Sequence, residues 1–205
     1  MTSTRDELRR ELRKRRRNIP PLQRKRAARR FAVIADRAYL LRPGARIAAY
    51  QAYGHEADVS HLIERAWRRG CEVYLPVITQ ARAARMRFVR FTPETRLHIN
   101  AFGIPEPDPQ HARCIPARHL DVVFMPLVGF DDHGWRLGSG AGFYDRCLHH
   151  LRGRRQWRRP KLVGVAYAQQ HVERLIPNEW DVPMDAVITE HSFTQFKPER
   201  PGTTP

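Results

Sequence analysis

The stretch DVVFMPLVGFDDHGWRLGSGAGFYDR (121–146) runs from an apolar segment through a glycine-rich turn into an amphipathic segment. Its first ten residues, 121–130, are almost continuously apolar, which predicts a strand buried on both faces. Residues 143–151 predict a helix that follows the turn. A strand, a turn and a helix in this order form one unit of an α/β fold.

Further strands and helices alternate on both sides of this unit. The pattern predicts a helix at 60–69 and strands at 45–50, 71–77, 86–91, 161–167 and 185–189. This alternation indicates a three-layer α/β/α fold with a central, largely parallel sheet. The length of 205 residues fits one domain. We predict that domain over 1–196, followed by a tail at 197–205 that is too rich in proline and glycine to pack.

The first 40 residues are an arginine-rich helical segment. Residues 1–30 hold 13 Lys or Arg and 3 acidic residues, so +10 of the net charge of +16 lies there. Leu8 and Leu12 form a narrow apolar stripe on its first helix, which ends before Pro20 and Pro21. A basic concentration of this kind is typical of a surface that binds nucleic acid or another anion, but also of a solvated helix face. Charge alone does not decide between these readings.

The composition excludes several classes of protein. The three cysteines form no CxxC pair, which favours a reducing cytoplasm over a disulfide framework or a zinc site. The ten histidines show no HxxxH or HExxH spacing, so we expect no histidine-based metal site. Because no run of about 18 apolar residues occurs, we expect no membrane partner and a cytoplasmic location.

The glycine-rich turn carries the strongest local indication of chemistry. Gly138, Gly140 and Gly142 stand at alternate positions, where backbone N–H groups can approach an anion closely. The following helix would add the positive end of its dipole. Arg136 could bind phosphate bidentately, and Asp145 could hold a magnesium ion that bridges phosphate oxygens. This GxGxG pattern matches neither the Walker nor the dinucleotide-binding motif, so a tight structural turn is the competing reading.

The string PLVGFDDHGWRLGSGAGFYDR (126–146) closely resembles the signature of the 5-formyltetrahydrofolate cyclo-ligase family. Other family landmarks stand in the same order along the chain, namely LRRELRKRRR (8–17), YQAYGHEADVSHLIERAWRRGCEVYLPV (50–77), GIPEP (103–107) and NEWDVPMDAVIT (178–189). The resemblance implies ATP- and Mg²⁺-dependent closure of 5-formyltetrahydrofolate to 5,10-methenyltetrahydrofolate, with release of ADP and phosphate. The implied mechanism phosphorylates the formyl oxygen, so it needs no nucleophilic side chain.

The same resemblance implies roles for individual residues. Arg136 and Asp145 would be catalytic, and Asp145 and Asp181 would hold magnesium. The ATP-binding residues would be Arg5, Arg9, Arg136, Leu137, Gly138, Ser139, Gly140, Ala141, Gly142, Phe143 and Tyr144. The folate-binding residues would be Tyr53, Glu56, Asp58, Ser139, Gly140, Ala141, Gly142 and Phe143. The chain departs from the family pattern at Arg5, where that pattern has lysine, and at Ala141, where some relatives carry lysine.

Several alternatives remain at this point. Asp181 could begin a turn, Asp58 could cap the helix that starts near Ser60, and Tyr53 could be a core aromatic. The whole chain could instead bind nucleic acid through its arginine-rich start, act as an ATP-dependent ligase on another substrate, or sense a phospho-ligand without turnover. The resemblance implies a folate substrate, often polyglutamylated, and we expect a monomer with no nucleic-acid partner.

Overall fold

A computed structural model describes residues 4–80, 85–100, 103–108, 114–151 and 159–196. In chain order, these residues form α1 (Arg5–Arg17), α2 (Pro21–Arg37), β1 (Arg46–Ala48), α3 (Ser60–Arg68), β2 (Glu72–Gln80), β3 (Arg85–Arg90), β4 (Leu97–Ile99), β5 (Pro105–Pro107), β6 (Cys114–Ile115), β7 (Val122–Pro126), β8 (Gly129–Phe130), β9 (Arg136–Leu137), α4 (Phe143–Leu148), β10 (Lys161–Val165), β11 (Ala186–Ile188) and β12 (Phe193–Gln195). None of the helices in these ranges is long and apolar enough to span a membrane.

Within the described ranges, the main sheet contains eight strands in the order β12-β11-β10-β7-β1-β2-β3-β6. The five inner strands from β11 to β2 run parallel, whereas β12, β3 and β6 pair antiparallel at the two edges. Ile47 of β1 aligns with Val73 of β2 on one side and with Val122 of β7 on the other. The predicted central, largely parallel sheet is therefore confirmed.

Helices and short 3₁₀ segments cover both faces of this sheet. Phe31 of α2 and Leu62 of α3 pack into one core together with Phe124 of β7. Val123 and Met125, which alternate with Phe124 along the same strand, face a second core with Leu148 of α4. The three-layer α/β/α arrangement is confirmed.

The apolar segment 121–130 is not the single strand that its composition predicts. Strand β7 ends at Pro126, and Gly129–Phe130 pairs with Arg136–Leu137 in a separate two-stranded ribbon. Proline has no N–H with which to continue the ladder. Beyond it, the side-chain amide of Gln170 donates to the carbonyl oxygens of Leu127 (2.8 Å) and Val128 (3.1 Å). The ribbon therefore leaves the sheet and carries the glycine-rich turn to its carboxyl edge.

Helix α1 packs on this ribbon. A capping box begins the helix, because the Thr4 hydroxyl accepts from the Glu7 N–H and the Glu7 carboxylate accepts from the Thr4 N–H. Leu12 is fully buried in a small core with Val128 and Leu137. A Cβ atom on Gly129 would lie 2.5 Å from Leu12 Cδ1, so glycine permits the close approach of the helix. This contact brings one face of α1 beside the glycine-rich turn.

Candidate functional site

A cleft of about 190 Å³ opens at the carboxyl edge of β1, β2 and β7. The chain passes from β1 to β2 on one side, and β7 lies on the other side of β1. Ligands of parallel α/β sheets bind at such a point, where the connections leave in opposite directions. Three segments form the walls of the cleft, namely the glycine-rich turn, the loop after β1, and the ribbon of β4 and β5.

The glycine-rich turn is open on the cleft side. Gly138, Ser139 and Gly142 line the cleft. Gly140 and Gly142 have φ angles of 116° and 67°, values that favour glycine. A Cβ atom on Gly138 or Gly140 would meet no atom within 4 Å, so crowding by the protein does not explain those glycines. The space beside them is available to a ligand.

The helix after the turn is shorter than predicted. Residues 143–151 form a six-residue α-helix, α4, followed by a 3₁₀ turn at His149–Leu151. A helix of this length has a small dipole, so the dipole contribution predicted for anion binding carries little weight.

Arg136 is a fixed positive charge at the base of the turn. Arg136 is only 6% exposed to solvent, and its Nη2 atom lies 2.5 Å from Oδ1 of Asp145. Its Nη1 donates to the carbonyl oxygen of Val182, whose own N–H donates to the same Asp145 oxygen at 3.2 Å. Arg136, Asp145 and the backbone of Val182 thus form one network beside the cleft.

Asp181 takes part in a second charged pair next to this network. Arg5 Nη1 donates to Asp181 Oδ2 at 2.8 Å and to the carbonyl oxygen of Ile176 at 2.9 Å. The same carboxylate oxygen accepts from the Asn178 N–H at 2.9 Å. Asp181 therefore ends the turn that starts at Asn178, rather than beginning a turn as considered, and it also forms an ion pair with an arginine predicted to contact ATP.

The two predicted magnesium ligands can still supply oxygen atoms. Asp145 Oδ2 and Asp181 Oδ1 have no hydrogen-bond partner within the ranges that the structure describes. Those ranges contain no group of three or more His, Cys, Asp or Glu side chains that could hold a metal ion. Magnesium at phosphate sites commonly takes one or two carboxylates and completes its shell with phosphate and water. The donor set therefore fits an ion that arrives with a nucleotide.

Two further arginines of α1 reach the glycine-rich turn. Arg9 Nε donates to the Gly138 carbonyl oxygen at 3.0 Å, and Arg13 Nη2 donates to the Ser139 carbonyl oxygen at 2.9 Å. Sequence reasoning identified Arg9 but missed Arg13. The signal was the spacing of four residues from Arg5 to Arg9 to Arg13, which places all three on one helix face.

The loop after β1 brings a carboxylate into the cleft. Glu56 lines it together with Tyr50 and Gln51, and Glu56 Oε2 accepts from the Tyr53 N–H at 3.1 Å. Burial raises the pKa of Glu56, while the Tyr53 N–H and the positive charge of Arg16 oppose that rise. Tyr50 is fixed by a 2.7 Å hydrogen bond from its hydroxyl to the Ala57 carbonyl oxygen.

Of the other residues predicted to contact folate, Tyr53, Asp58, Gly140 and Ala141 do not line the cleft. The Tyr53 residue is 55% exposed, and Asp58 is exposed and accepts from the Ser60 N–H at 2.8 Å at the start of α3. The Tyr53 N–H donates to the Glu56 side chain and so closes a turn, and Glu56, rather than Tyr53 or Asp58, lines the cleft. Gln51 was missed, although its position directly after a buried strand was a usable signal.

The ribbon of β4 and β5 forms the third wall. Glu106, in the GIPEP landmark at 103–107, belongs to β5 and is buried. Its Oε2 accepts from Asn100 Nδ2 at 2.9 Å, and both residues line the cleft. The cleft therefore contains a second oriented carboxylate opposite the glycine-rich turn.

The chain matches known proteins along nearly its whole length. The model of the 5-formyltetrahydrofolate cyclo-ligase family matches residues 1–190. The 5-formyltetrahydrofolate cyclo-ligase of Haemophilus influenzae is 37% identical over 189 residues, which are 91% of this chain and 98% of that protein. The protein of the same name from Escherichia coli K12 is 40% identical over 145 residues, 70% of this chain and 76% of that one.

Solved structures agree with these sequence matches. The 5,10-methenyltetrahydrofolate synthetase of Aquifex aeolicus has a TM-score of 0.80 and 27% identity, covering 98% of this chain and 96% of the other. The synthetase of Mycoplasma pneumoniae has the same fold, with a TM-score of 0.70 at 19% identity over 92% of this chain and 99% of that one. Sequence and structure together place this chain in the 5-formyltetrahydrofolate cyclo-ligase family.

Proposed function

We propose that this protein converts 5-formyltetrahydrofolate to 5,10-methenyltetrahydrofolate with ATP and Mg²⁺, releasing ADP and phosphate. Family membership supports this activity. The observation that carries the proposal is that two chemically different walls meet in one cleft. One wall presents the open turn at 138–142 with Arg136 and Asp145, and the facing loop presents Glu56. Such a cleft suits a phosphate-bearing and a nitrogen-rich substrate held side by side.

The reaction requires positioning more than a reactive side chain. The formyl oxygen takes the γ-phosphoryl group, and the neighbouring nitrogen then attacks the formyl carbon and loses its proton. The carbon–oxygen bond breaks as phosphate leaves, which closes the ring. Phosphorylation turns a poor leaving oxygen into a good one, so the protein holds the reactants and neutralises charge. The Cys147 thiol of α4 fits this scheme, because burial raises its pKa to about 11 and keeps it protonated.

The nucleotide half comprises the turn and the arginines around it. Its residues are Arg5, Arg9, Arg136, Leu137, Gly138, Ser139, Gly140, Ala141, Gly142, Phe143 and Tyr144, with Arg13 added from the structure. Ala141 supplies no charge, so Arg9, Arg13 and Arg136 would neutralise the phosphates. Asp145 and Asp181 would hold a magnesium ion through their unused oxygens, and that ion would offset the negative charge that develops on the phosphate oxygens.

The folate half is built on Glu56 and its neighbours. A carboxylate accepts hydrogen bonds from N–H groups, and the pterin ring of the substrate carries several. Gln51 and Tyr50 extend this polar wall, and Ser139, Gly142 and Phe143 line the cleft on the nucleotide side. Tyr53 and Asp58 lie at the outer end of the same loop, where they could meet only the exposed part of a long substrate.

The substrate in this proposal carries a polyglutamate tail. Arg24 contacts the His55 ring, whose pKa is lowered first by burial and then by Arg24, Arg17 and Arg16. Arginines thus gather at the loop that holds Glu56, and they favour an anionic tail there. Arg17→Gln and Arg24→Gln should raise KM for a polyglutamylated substrate several-fold more than KM for the monoglutamate. Equal increases for both substrates would contradict this part of the proposal.

The protein acts in this proposal as a cytoplasmic monomer without a nucleic-acid partner. Arg5, Arg9 and Arg13 contact groups of the same chain beside the cleft, which favours an anionic substrate over a nucleic acid as the reason for their charge. Light scattering would test the monomer. RNA binding that falls steeply with salt would support the nucleic-acid alternative instead.

The decisive experiment follows the methenyl chromophore in the near ultraviolet. The complete mixture of purified protein, 5-formyltetrahydrofolate, ATP and Mg²⁺ should generate it, and omission of any one component should abolish it. Circular dichroism establishes that the protein is folded. A folded protein that shows no turnover in the complete mixture would refute the proposed function.

A further inference from the structure

The ribbon of β4 and β5 leaves apolar side chains in solvent and turns a carboxylate inward. Leu97 and Ile99 of β4 are 39% and 66% exposed. Glu106 of β5 is only 9% exposed, and it lines the cleft together with Asn100. Burial of a carboxylate costs free energy unless a partner compensates it, and glutamate is rarely found buried for that reason. Such inversions are expected at functional sites, so the ribbon points to a role for Glu106 in the cleft.

The Asn100 side chain holds one oxygen of the Glu106 carboxylate. The Ile104 N–H donates to Asn100 Oδ1 at 3.0 Å, and this contact fixes which end of the amide is the oxygen. The other end, Asn100 Nδ2, donates to Glu106 Oε2 at 2.9 Å. The Asn100 N–H also donates to the Ile104 carbonyl oxygen at 3.0 Å, so the backbone holds Asn100 in place. Asn100 can therefore present only a donor to Glu106.

The second oxygen of the Glu106 carboxylate has no hydrogen bond in the described part of the chain. His98 stands directly opposite Glu106 in the ladder, but its Nε2 lies 3.6 Å from Glu106 Oε1, which is too far for a hydrogen bond. The His98 side chain is half-exposed and does not line the cleft. Within the described ranges, no arginine or lysine pairs with Glu106. Glu106 Oε1 is thus an unused acceptor on a side chain that lines the cleft.

We propose that Glu106 is a further specificity-determining residue of the folate half, whose Oε1 accepts a hydrogen bond from an N–H group of the substrate. Because Asn100 occupies Oε2, Glu106 accepts one N–H rather than a bidentate pair. The Tyr53 N–H occupies one oxygen of Glu56 in the same way, so two walls of the cleft each present one acceptor. This inference rests on the proposed function for the identity of the substrate, but it can be tested by binding without turnover.

The first test reverses the polarity of the Oε1 position. In Glu106→Gln, the Asn100 N–H requires the oxygen of the introduced amide, so the NH2 group takes the place of Oε1 and meets the substrate N–H. Calorimetry with a non-hydrolysable ATP analogue should show Kd for 5-formyltetrahydrofolate raised about tenfold or more, and Kd for the analogue changed less than about twofold. Glu106→Ala should lose less affinity, because water can fill the space and accept from the substrate.

The order of these two variants separates binding from structure. A merely structural role tolerates the isosteric glutamine better than alanine. Unchanged affinity in folded Glu106→Gln, or a greater loss in Glu106→Ala, would therefore overturn the proposal. Glu64→Gln is the matched control, since Glu64 is an exposed glutamate with a histidine neighbour, His61, at 3.3 Å. Equal weakening by Glu64→Gln would show that net charge, rather than the acceptor, explains the loss.

The second test restores the acceptor by reversing the whole pair. In Asn100→Asp/Glu106→Gln, one aspartate oxygen still accepts from the Ile104 N–H, and the other accepts from the introduced NH2 group. The amide oxygen then takes the place of Oε1, so Kd for 5-formyltetrahydrofolate should return to within about threefold of the unmodified protein. Weak binding by the folded double variant would overturn the proposal. If Glu106→Gln alone does not fold, the double variant and Glu106→Ala decide the question.

Kinetics distinguishes failure of this inference from failure of the proposed function. Glu106→Gln should raise KM for 5-formyltetrahydrofolate and leave KM for ATP unchanged. Equal KM values in an active unmodified protein and in Glu106→Gln would refute the inference alone. A folded, unmodified protein that binds 5-formyltetrahydrofolate without turnover would refute the proposed function, and the two binding tests would still decide the role of Glu106.

Discussion

Two groups of arginines in this molecule use the same side chain in opposite ways. Arg65 and Arg69 clamp Asp36 and so join α2 to α3 on the side away from the cleft. Arg65 Nε donates to Asp36 Oδ2, and Arg69 binds both carboxylate oxygens through Nε and Nη2, with all three bonds at 2.8 Å. The carboxylate side chain is only 8% exposed. We call this clamp closed, because both oxygens of the Asp36 carboxylate accept hydrogen bonds from Arg65 or Arg69.

The arginines on the cleft side of α1 form an open set. Arg9 and Arg13 each donate to one backbone carbonyl oxygen of the glycine-rich turn, and Arg9 also pairs with Asp6 at 2.5 Å. Arg5 pairs with Asp181, whereas Arg13 and Arg16 have no carboxylate partner in the described part of the chain. The comparison shows that some arginines on the cleft side of α1 lack a carboxylate partner in the described part of the chain, whereas both arginines of the clamp share one.

The largest effect is expected from Asp145→Asn, which removes the carboxylate paired with Arg136. Turnover should fall about 100-fold or more, because the cleft loses both the proposed magnesium ligand and the group that fixes the buried Arg136. The measurement is kcat at saturating ATP and Mg²⁺, with circular dichroism as the check on folding. Asp132→Asn is the matched control, since Asp132 is exposed and pairs only with His171 in the described structure. Near-normal turnover of Asp145→Asn would remove Asp145 from the site.

A smaller effect is expected from opening the contact of α1 with the turn. Arg9→Gln should raise KM for ATP about tenfold, in line with the loss of one charge-assisted hydrogen bond. KM for 5-formyltetrahydrofolate should change little. Arg10→Gln, which alters an exposed arginine on the same helix, provides the control for net charge. If both variants shift KM for ATP equally, general electrostatic attraction rather than the specific contact explains the role of Arg9.

The sheet was predictable because its strands are short apolar runs separated by helical patterns. The end of β7 at Pro126 was not predictable. Beyond Pro126, the backbone carbonyl oxygens of Leu127 and Val128 accept hydrogen bonds from the side chain of Gln170, which is far along the chain. An apolar run indicates that a segment is buried, but it does not indicate which groups form hydrogen bonds with the backbone of that segment. Local signals also could not show that the helix after Gly142 ends after six residues.

The candidate site was predictable where one segment contains it. The turn at 138–142, Arg136 and Asp145 lie close in sequence, and they lie close in the structure. The wall around Glu56 was harder to predict, because a turn decides which of several neighbouring polar residues points into the cleft. The Glu56 side chain closes that turn on the Tyr53 N–H, a contact that sequence spacing does not reveal.

Opening the closed clamp should affect stability but not substrate binding. Asp36→Asn should lower the free energy of unfolding by about 1 kcal/mol, a modest value because Arg69 is half-exposed and its pair is screened by solvent. Hydrogen bonds from Arg69 lower the pKa of Asp36, so its contribution is present above the ordinary aspartate pKa and is lost as pH falls through the lowered value. Urea unfolding at neutral and acidic pH checks both statements. Unchanged stability, or a change in KM for either substrate, would contradict the distinction between the clamp and the cleft.

The smallest effect on stability is expected from Glu56→Gln. The pH dependence that Glu56 contributes has the opposite sign to that of Asp36. Because burial raises the pKa of Glu56, the folded state binds a proton more readily than the unfolded state. Stability should therefore fall as pH rises from the ordinary glutamate pKa to the raised one, and the glutamine variant should lack this slope. At neutral pH the variant should be slightly more stable and yet bind 5-formyltetrahydrofolate more weakly. Parallel urea titrations of both proteins from acidic to neutral pH measure the difference. A variant that is less stable than the parent at neutral pH would show that Glu56 is part of the structural framework, as Asp36 is.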